Sequence, residues 1–256
     1  MAITRKARKS MKKFNPLNYE IKFTTQPSLY IEMKTVRLII RSITDREEKI
    51  YIQLLGDPKV MKKYAEGNPY EEEKARELLK TWVDRWDSNN PYSGYAIFRM
   101  DSYDFVGTIS IRNSAPDECR VAYILRQKYW GQGYGTEAAH AIVDMLIPRL
   151  MLRNYQPSYR SLKKIMATAL PDNPASEKIL IGSGFEKIGK AYEYGAVRNI
   201  FCLFARTKKN NYHHFFHRMD CKLNNKEHAS IKNKGVDITD EKMANSEFGQ
   251  RRNHMW

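Results

Sequence analysis

Two hydrophobic rhythms run along the chain, and the switches between them mark out its elements. Apolar residues at alternate positions predict strands, and spacings of three and four predict helices. Tyr19, Ile21 and Phe23, then Leu29-Tyr30-Ile31, predict short extended segments around the turn-prone Gln26-Pro27-Ser28. A strand is predicted over 35–43, after which Thr44 or Asp45 caps a helix running towards Leu55. Gly56-Asp57-Pro58 breaks that helix, and Pro58 opens a second short one through Tyr64. Over 71–87, three glutamates favour a helix N-terminus, and Ala75, Leu78, Leu79, Trp82, Val83 and Trp86 form a stripe read as core. Strands over 94–100 and 105–111 lead to the stretch that organises the rest.

That stretch is 119–146. The β-formers Val121, Tyr123, Ile124 and Leu125 precede a turn with glycines at 131, 133 and 135. Ala138, Ala139, Ile142, Val143 and Leu146 then fall at helical spacing. A glycine turn between strand and helix lets backbone approach a ligand, and the first helical N–H groups point into it with the positive end of the dipole behind them. The pattern is an anion cradle, although a tight connection uses glycines too. It is not a P-loop, because Gly135-Thr136-Glu137 lacks the lysine, and the G-x-G-x-G spacing differs from the dinucleotide fingerprint. Pro148 ends the regular pattern, and 149–164 reads as a connection holding either an added helix-loop or a disordered insertion. A strand is predicted over 165–170. Asn173, Pro174 and Gly184 supply the cap, first turn and stop of a short helix, and 185–194 with 197–206 close the sheet as a hairpin.

The run Trp130-Gly131-Gln132-Gly133-Tyr134-Gly135-Thr136 resembles the acetyl-CoA pyrophosphate loop of the GNAT N-acetyltransferases, whose pattern is Gln/Arg-x-x-Gly-x-Gly/Ala, with Trp130 standing where Gln or Arg is usual. Three further blocks resemble the same family in the right order: RLIIRSIT and LLGDPKVMKKY resemble the opening of its RimJ/RimL-type branch, the ribosomal-protein N-terminal acetyltransferases. Asn173-x-x-Ser176, with Gly184-Phe185 following, matches the second cofactor-binding block. The resemblance implies an α/β (α+β) GNAT domain over about 35–207: a mixed, mostly antiparallel twisted sheet with helices on both faces and splayed central parallel strands. It implies acetyl transfer from acetyl-CoA to a primary amine by direct attack in a ternary complex. Backbone N–H groups around Gln132 to Thr136 would hold the pyrophosphate, an N–H among Ile124, Leu125 and Arg126 would polarise the thioester carbonyl, and Asn173 would bond the cofactor arm.

The resemblance is less complete for proton transfer. The tyrosine that many relatives carry seven residues after the Asn is Leu180 here, so Ser176 becomes the candidate acid, with helix capping or a cofactor hydrogen bond as its other reading. The glutamate common on the strand before the turn is displaced as well: Arg120 holds that register and Glu118 lies two residues earlier, either a general base or a surface acid at a strand start. Tyr123 is read as core or cofactor-site wall, and Cys119 as a structural thiol. The expected acceptor is a protein N-terminal α-amino group. A polyamine or aminoglycoside is the alternative, which calls for an acidic acceptor pocket and would move ahead if Glu66, Glu71 and Glu118 converged beside the glycine turn.

Charge adds a question about partners. The formal net charge is +15, of which 1–34 carries +6 and 208–256 carries +4, so most of the excess lies outside 35–207. Residues 1–14 could form a basic amphipathic arm for RNA, a ribosome or an anionic surface, a solvated tail, or an organellar presequence. With such tails, a non-catalytic GNAT scaffold that binds RNA or a ribosomal partner is the reading from another functional class. Residues 208–256 hold five of the six histidines and lose the hydrophobic pattern, which predicts partial disorder. His213, His217 and Cys221 fall on one helical face, but ligands along one face seldom converge, so no metal is expected. Phe215 and Phe216 read as docking a helix onto the domain or a second subunit, leaving monomer and homodimer both open. Three cysteines without a C-x-x-C and no apolar run long enough to span a bilayer predict a soluble chain in a reducing, cytoplasmic compartment.

Overall fold

One nine-stranded sheet orders the described part of the computed structural model, which comprises residues 19–153, 155 and 162–204. Contacts divide the chain into Met1–Arg206 and Thr207–Trp256, and every described residue belongs to the first unit. The basic arm 1–14 and the His213, Phe215, Phe216, His217 and Cys221 pattern therefore lie outside the described residues.

The strands are β1 (Glu20–Thr24), β2 (Tyr30–Lys34), β3 (Leu38–Ser42), β4 (Gly94–Arg99), β5 (Phe105–Ala115), β6 (Glu118–Leu125), β7 (Lys164–Ala169), β8 (Glu186–Glu193) and β9 (Ala196–Phe204). The helices are α1 (Glu48–Gly56), α2 (Pro58–Met61), α3 (Glu72–Asp87), α4 (Tyr134–His140), α5 (Ile147–Leu152) and α6 (Pro174–Gly182). Strand order is β1-β2-β3-β4-β5-β6-β7-β9-β8, and every neighbouring pair is antiparallel except β6 and β7. The sheet begins upstream of residue 35: Leu29, Ile31 and Met33 are fully buried, so the alternation at 29–33 belongs to β2 and the same core as the rest.

The parallel pair positions the site. Only Glu118↔Lys164, Cys119↔Ile165 and Arg120↔Met166 are in register, although β6 runs on to Leu125 and β7 to Ala169. Beyond Arg120 the two strands part, and the sheet opens a gap at its centre. Helices cover both faces. Ala138, Ile142 and Leu146 pack with Cys119, Val121 and Leu125 on one side, while Leu54, Leu79 and Trp82 pack with Ile124 and Phe98 on the other. The alternation along β6 thus feeds two cores in turn.

Local chemistry explains most boundaries. Asp57 accepts from the N–H groups of Lys59 (2.8 Å) and Val60 (3.3 Å) and starts α2 with Pro58 in its first turn. Thr44 begins a short 3₁₀ turn at Asp45–Glu47, where its N–H donates to Glu47 Oε2 at 2.9 Å. Glu47 is buried because Arg41 grips both its oxygens, at 2.7 and 3.2 Å, which ties this turn to β3. Tyr194 and Gly195, both at positive φ, form the two-residue loop of the last hairpin.

One expectation fails. Pro148 does not end the central helix, which continues to Leu152. Ala141–Leu146 winds as a π-helix, whose wider turn offsets the carbonyls from the proline ring, and Pro148 then sits in the first turn of α5, where its missing N–H costs little. The connection expected over 149–164 lies partly outside the described residues.

Candidate active site

A cavity of about 760 Å³ occupies the gap between β6 and β7, running from the glycine turn to the loop between α2 and α3. At one end Gly131, Gly133, Gly135 and Thr136 line it. Gly133 is the N-cap residue of α4 at φ 81°, in the left-handed region, and no side chain caps the helix. A Cβ on Gly135 would stand 2.7 Å from Ile179 Cδ1, so that glycine lets α4 lie against α6. The first-turn N–H groups of α4 are therefore open on the side of the turn.

The turn is braced from across the sheet. Glu137, in the first turn of α4, accepts from Thr35 Oγ1 (2.6 Å), the Arg37 N–H (2.9 Å) and Arg37 Nε (2.7 Å), while Arg37 Nη1 donates to the Gln132 carbonyl at 2.9 Å. The Arg37 guanidinium also lies 4.5 Å from the ring centroid of Tyr134, which is buried beneath it. Gln132 and Tyr134 consequently shape the turn rather than line the cavity, with Gln132 Nε2 donating to the Lys128 carbonyl at 2.7 Å. Trp130 does line it, and its indole N–H donates to the Leu125 carbonyl at 2.8 Å. An indole here folds the turn back onto the end of β6.

Of Ile124, Leu125 and Arg126, the ladder selects one N–H. Arg126 donates to the Val106 carbonyl at 2.9 Å, and antiparallel alternation gives Ile124 the same orientation, so the Tyr123 and Leu125 N–H groups turn towards the gap. Across that gap, Asn173 Oδ1 accepts from the Ser176 N–H at 3.1 Å and caps α6, leaving Asn173 Nδ2 as its remaining donor group. Ser176 Oγ lies 2.9 Å from the Tyr123 hydroxyl, which also donates to the Ser176 carbonyl at 3.1 Å. Burial pushes the Tyr123 phenol well above its ordinary range, so it keeps its proton. Leu180, at the position where many relatives carry tyrosine, is in the core.

The far end has another character. Tyr64, Arg112, Arg120, Tyr194 and Arg198 line it, and no Asp or Glu is among the lining residues. Arg120 holds Glu193 with two bonds, at 2.7 and 2.8 Å, and this pairing keeps the Glu193 carboxyl below its usual range. Burial pushes the Tyr64 phenol up to about 12, against the pull of Arg112 and Arg198. Glu118 does not join the lining. It sits at the start of β6, two residues before Arg120 and within reach of its charge, and accepts from Ser114 Oγ at 2.7 Å. Glu66 bonds the Tyr70 hydroxyl at 2.8 Å, and neither it nor Glu71 joins the lining. Cys119 is fully buried, its thiol pushed up to about 12 by that burial, and no trio of His, Cys, Asp or Glu among the described residues is placed to hold a metal.

The family model described as "Acetyltransferase (GNAT) domain" matches residues 37–186, more than half of the chain. This chain belongs to the GNAT acetyltransferase family. It is similar to an uncharacterized N-acetyltransferase, YoaA, of Bacillus subtilis, 26% identical over 164 residues that cover 63% of this chain and 86% of that protein. Its fold is shared with the ribosomal-protein-S5-alanine acetyltransferase of Vibrio fischeri, at 20% identity and TM-score 0.54 over 70% of this chain and 98% of the other. An aminoglycoside acetyltransferase in complex with coenzyme A shares it at 13% identity and TM-score 0.51, over 66% and 95%.

As a GNAT enzyme the protein is an N-acetyltransferase that uses acetyl-CoA. The residues present fit that group. Uncapped N–H groups at the glycine turn suit a pyrophosphate, strand N–H groups at Tyr123 and Leu125 suit an extended amide arm, and the buried Tyr129 hydroxyl, which lines the same cavity, has no hydrogen-bond partner among the described residues. Sequence reasoning missed the Thr35, Arg37 and Glu137 brace, the Tyr123 to Ser176 bond, and Arg112 and Arg198. Glu137 carried a signal as an acid in a first helical turn, and Arg120 as the residue at the register of the family glutamate.

Proposed function

We propose that the acceptor is the α-amino group of a protein or peptide N-terminus. The observation that carries this reading is the far end of the cavity, where guanidiniums and phenols stand without a carboxylate among the lining residues. Attack requires a neutral amine. At pH 7.5 about a third of α-amino groups are already neutral, against about one in a thousand lysine-type amines. The Tyr64 and Tyr123 phenols hold their protons and cannot serve as bases, while nearby guanidiniums favour loss of the ammonium proton. An α-amine meets these conditions without a base. A lysine-type amine of a polyamine needs a base to attack, and its remaining ammonium groups are repelled by the same arginines.

Bound acetyl-CoA supplies an activated acetyl group whose departing sulfur requires a proton. In this reading the Leu125 N–H donates to the carbonyl oxygen as negative charge develops there. Tyr123 holds a proton at Oη and shares it with Ser176 Oγ, so the phenol absent at Leu180 is supplied from β6 instead. Asn173 and the braced turn fix the cofactor arm against β6.

CoA release measured between about pH 6.5 and 9 tests the acceptor assignment, using peptides with free N-termini, Nα-blocked lysine peptides, spermidine and an aminoglycoside. Free N-termini should give the highest kcat/KM, rising with pH as the α-amine loses its proton. Faster turnover of spermidine or the aminoglycoside than of every peptide overturns the assignment.

A further inference from the structure

Arg198 is a buried cation, 4% exposed, and no carboxylate among the described residues lies within ion-pair distance of it. Its guanidinium donates to the backbone carbonyls of Ala65 and, at 3.3 Å, of Glu193, and lies 5.3 Å from the Tyr194 ring. Arg112 donates to the Tyr194 hydroxyl. Neither makes an ion pair among the described residues, and Glu193, which lowers the local charge, already gives both oxygens to Arg120. At the rim, Glu66 and Lys74 face the same Tyr70 and offset one another. Arg112, Arg120 and Arg198 line the cavity, Glu193 bonds one of them and Glu118 acts on Arg120 from the start of β6, so a net positive charge remains.

A guanidinium cannot shed its proton, and carbonyl and ring dipoles compensate its desolvation only in part. Such a site is complete when an anion enters it. The cofactor's phosphates do not fill that role, because Arg112 and Arg120 are register partners about 17 Å up β6 from Leu125, whereas the glycine turn follows Leu125. The excess charge faces the acceptor end, between the loop after α2 and the β8–β9 turn.

We infer that the enzyme selects acceptors carrying a carboxylate beside the reactive amine, an N-terminal segment with Asp or Glu among its first residues, held by Arg112 and Arg198. This rests on the α-amine reading above and adds the acceptor's charge to it. A carboxylate accepts two parallel N–H bonds from a guanidinium, and the low dielectric of the cavity strengthens them.

The test is steady-state kinetics with peptides that differ only by Asp or Asn at the second position, alongside free glutamate and its diamide, for the full-length chain. The acidic peptide should exceed its Asn partner in kcat/KM by about 10- to 100-fold. In R112Q that ratio should fall towards one while the KM for acetyl-CoA holds, and R112K should retain part of it. Circular dichroism establishes that the variants fold, and the wild-type ratio needs no variant at all. Equal rates for Asp and Asn peptides overturn the inference and leave the α-amine reading standing. Preference for free glutamate over its diamide, with no peptide turned over, keeps the anion requirement and removes the N-terminal acceptor.

Discussion

The two ends of the cavity solve the recognition of charge by opposite means. At the end proposed for the cofactor the donors are mainly backbone N–H groups from the end of β6 and the glycine turn, and the side chains around them hold that backbone still. At the end proposed for the acceptor the charges are side chains from separate places, Arg112, Arg120, Glu193 and Arg198, which the sheet order brings together beside Tyr64. A backbone cradle is set by local conformation and accepts any anion of the right shape. A cluster of side chains can change with each substitution while the cradle stays the same, so one fold accommodates different acceptors.

The largest effect expected from this contrast lies where the ends meet. Tyr123→Phe removes the proton held against Ser176, and kcat should fall about 100-fold with little change in either KM; Ser176→Ala should lower kcat in the same direction. An unchanged kcat in both variants would remove these residues from the reaction. Next comes the brace of the cradle. Glu137→Ala strips the acceptor from Thr35 and Arg37 and should cost about 2–3 kcal/mol in urea unfolding. It should also raise the KM for acetyl-CoA by about tenfold while the acceptor KM holds, since the turn alone loses its support. If both constants rose together, the two ends would not be separable. The smallest effect belongs to Glu118→Gln, which should leave kcat/KM within about twofold, because that carboxylate bonds Ser114 at the start of β6 and does not line the cavity. A large loss there would restore Glu118 as the base.

The difference in construction also explains what could be read from the chain. The glycine turn, the Asn173 cap with Pro174, and the alternation along β6 are local patterns, and each leaves its mark within a dozen residues. The gap between β6 and β7 was expected from resemblance alone, since nothing in the residues 118–125 or 164–169 says that their pairing stops after Arg120 and Met166. Pro148 misled because its usual effect depends on the preceding turn being α-helical, and the π-helical run of Ala141–Leu146 changes that turn. Glu118 stays open in the sequence between a base and a surface acid, because the family register gives its place along β6 but not what its side chain meets; the carboxylate bonds Ser114 and does not join the lining.

Caps, glycines and hydrophobic periods act through neighbours in the chain, so the residues alone set most of the elements, the order of the blocks and the chemistry of the cradle. Which strand N–H groups face the gap, that Tyr123 meets Ser176, and that Arg112, Arg120 and Arg198 gather near Glu193 follow from the assembled sheet. Those facts depend on register and strand order, which bring together residues up to 134 positions apart, from Tyr64 to Arg198. Charge in this protein therefore acquires its meaning from where the sheet puts it.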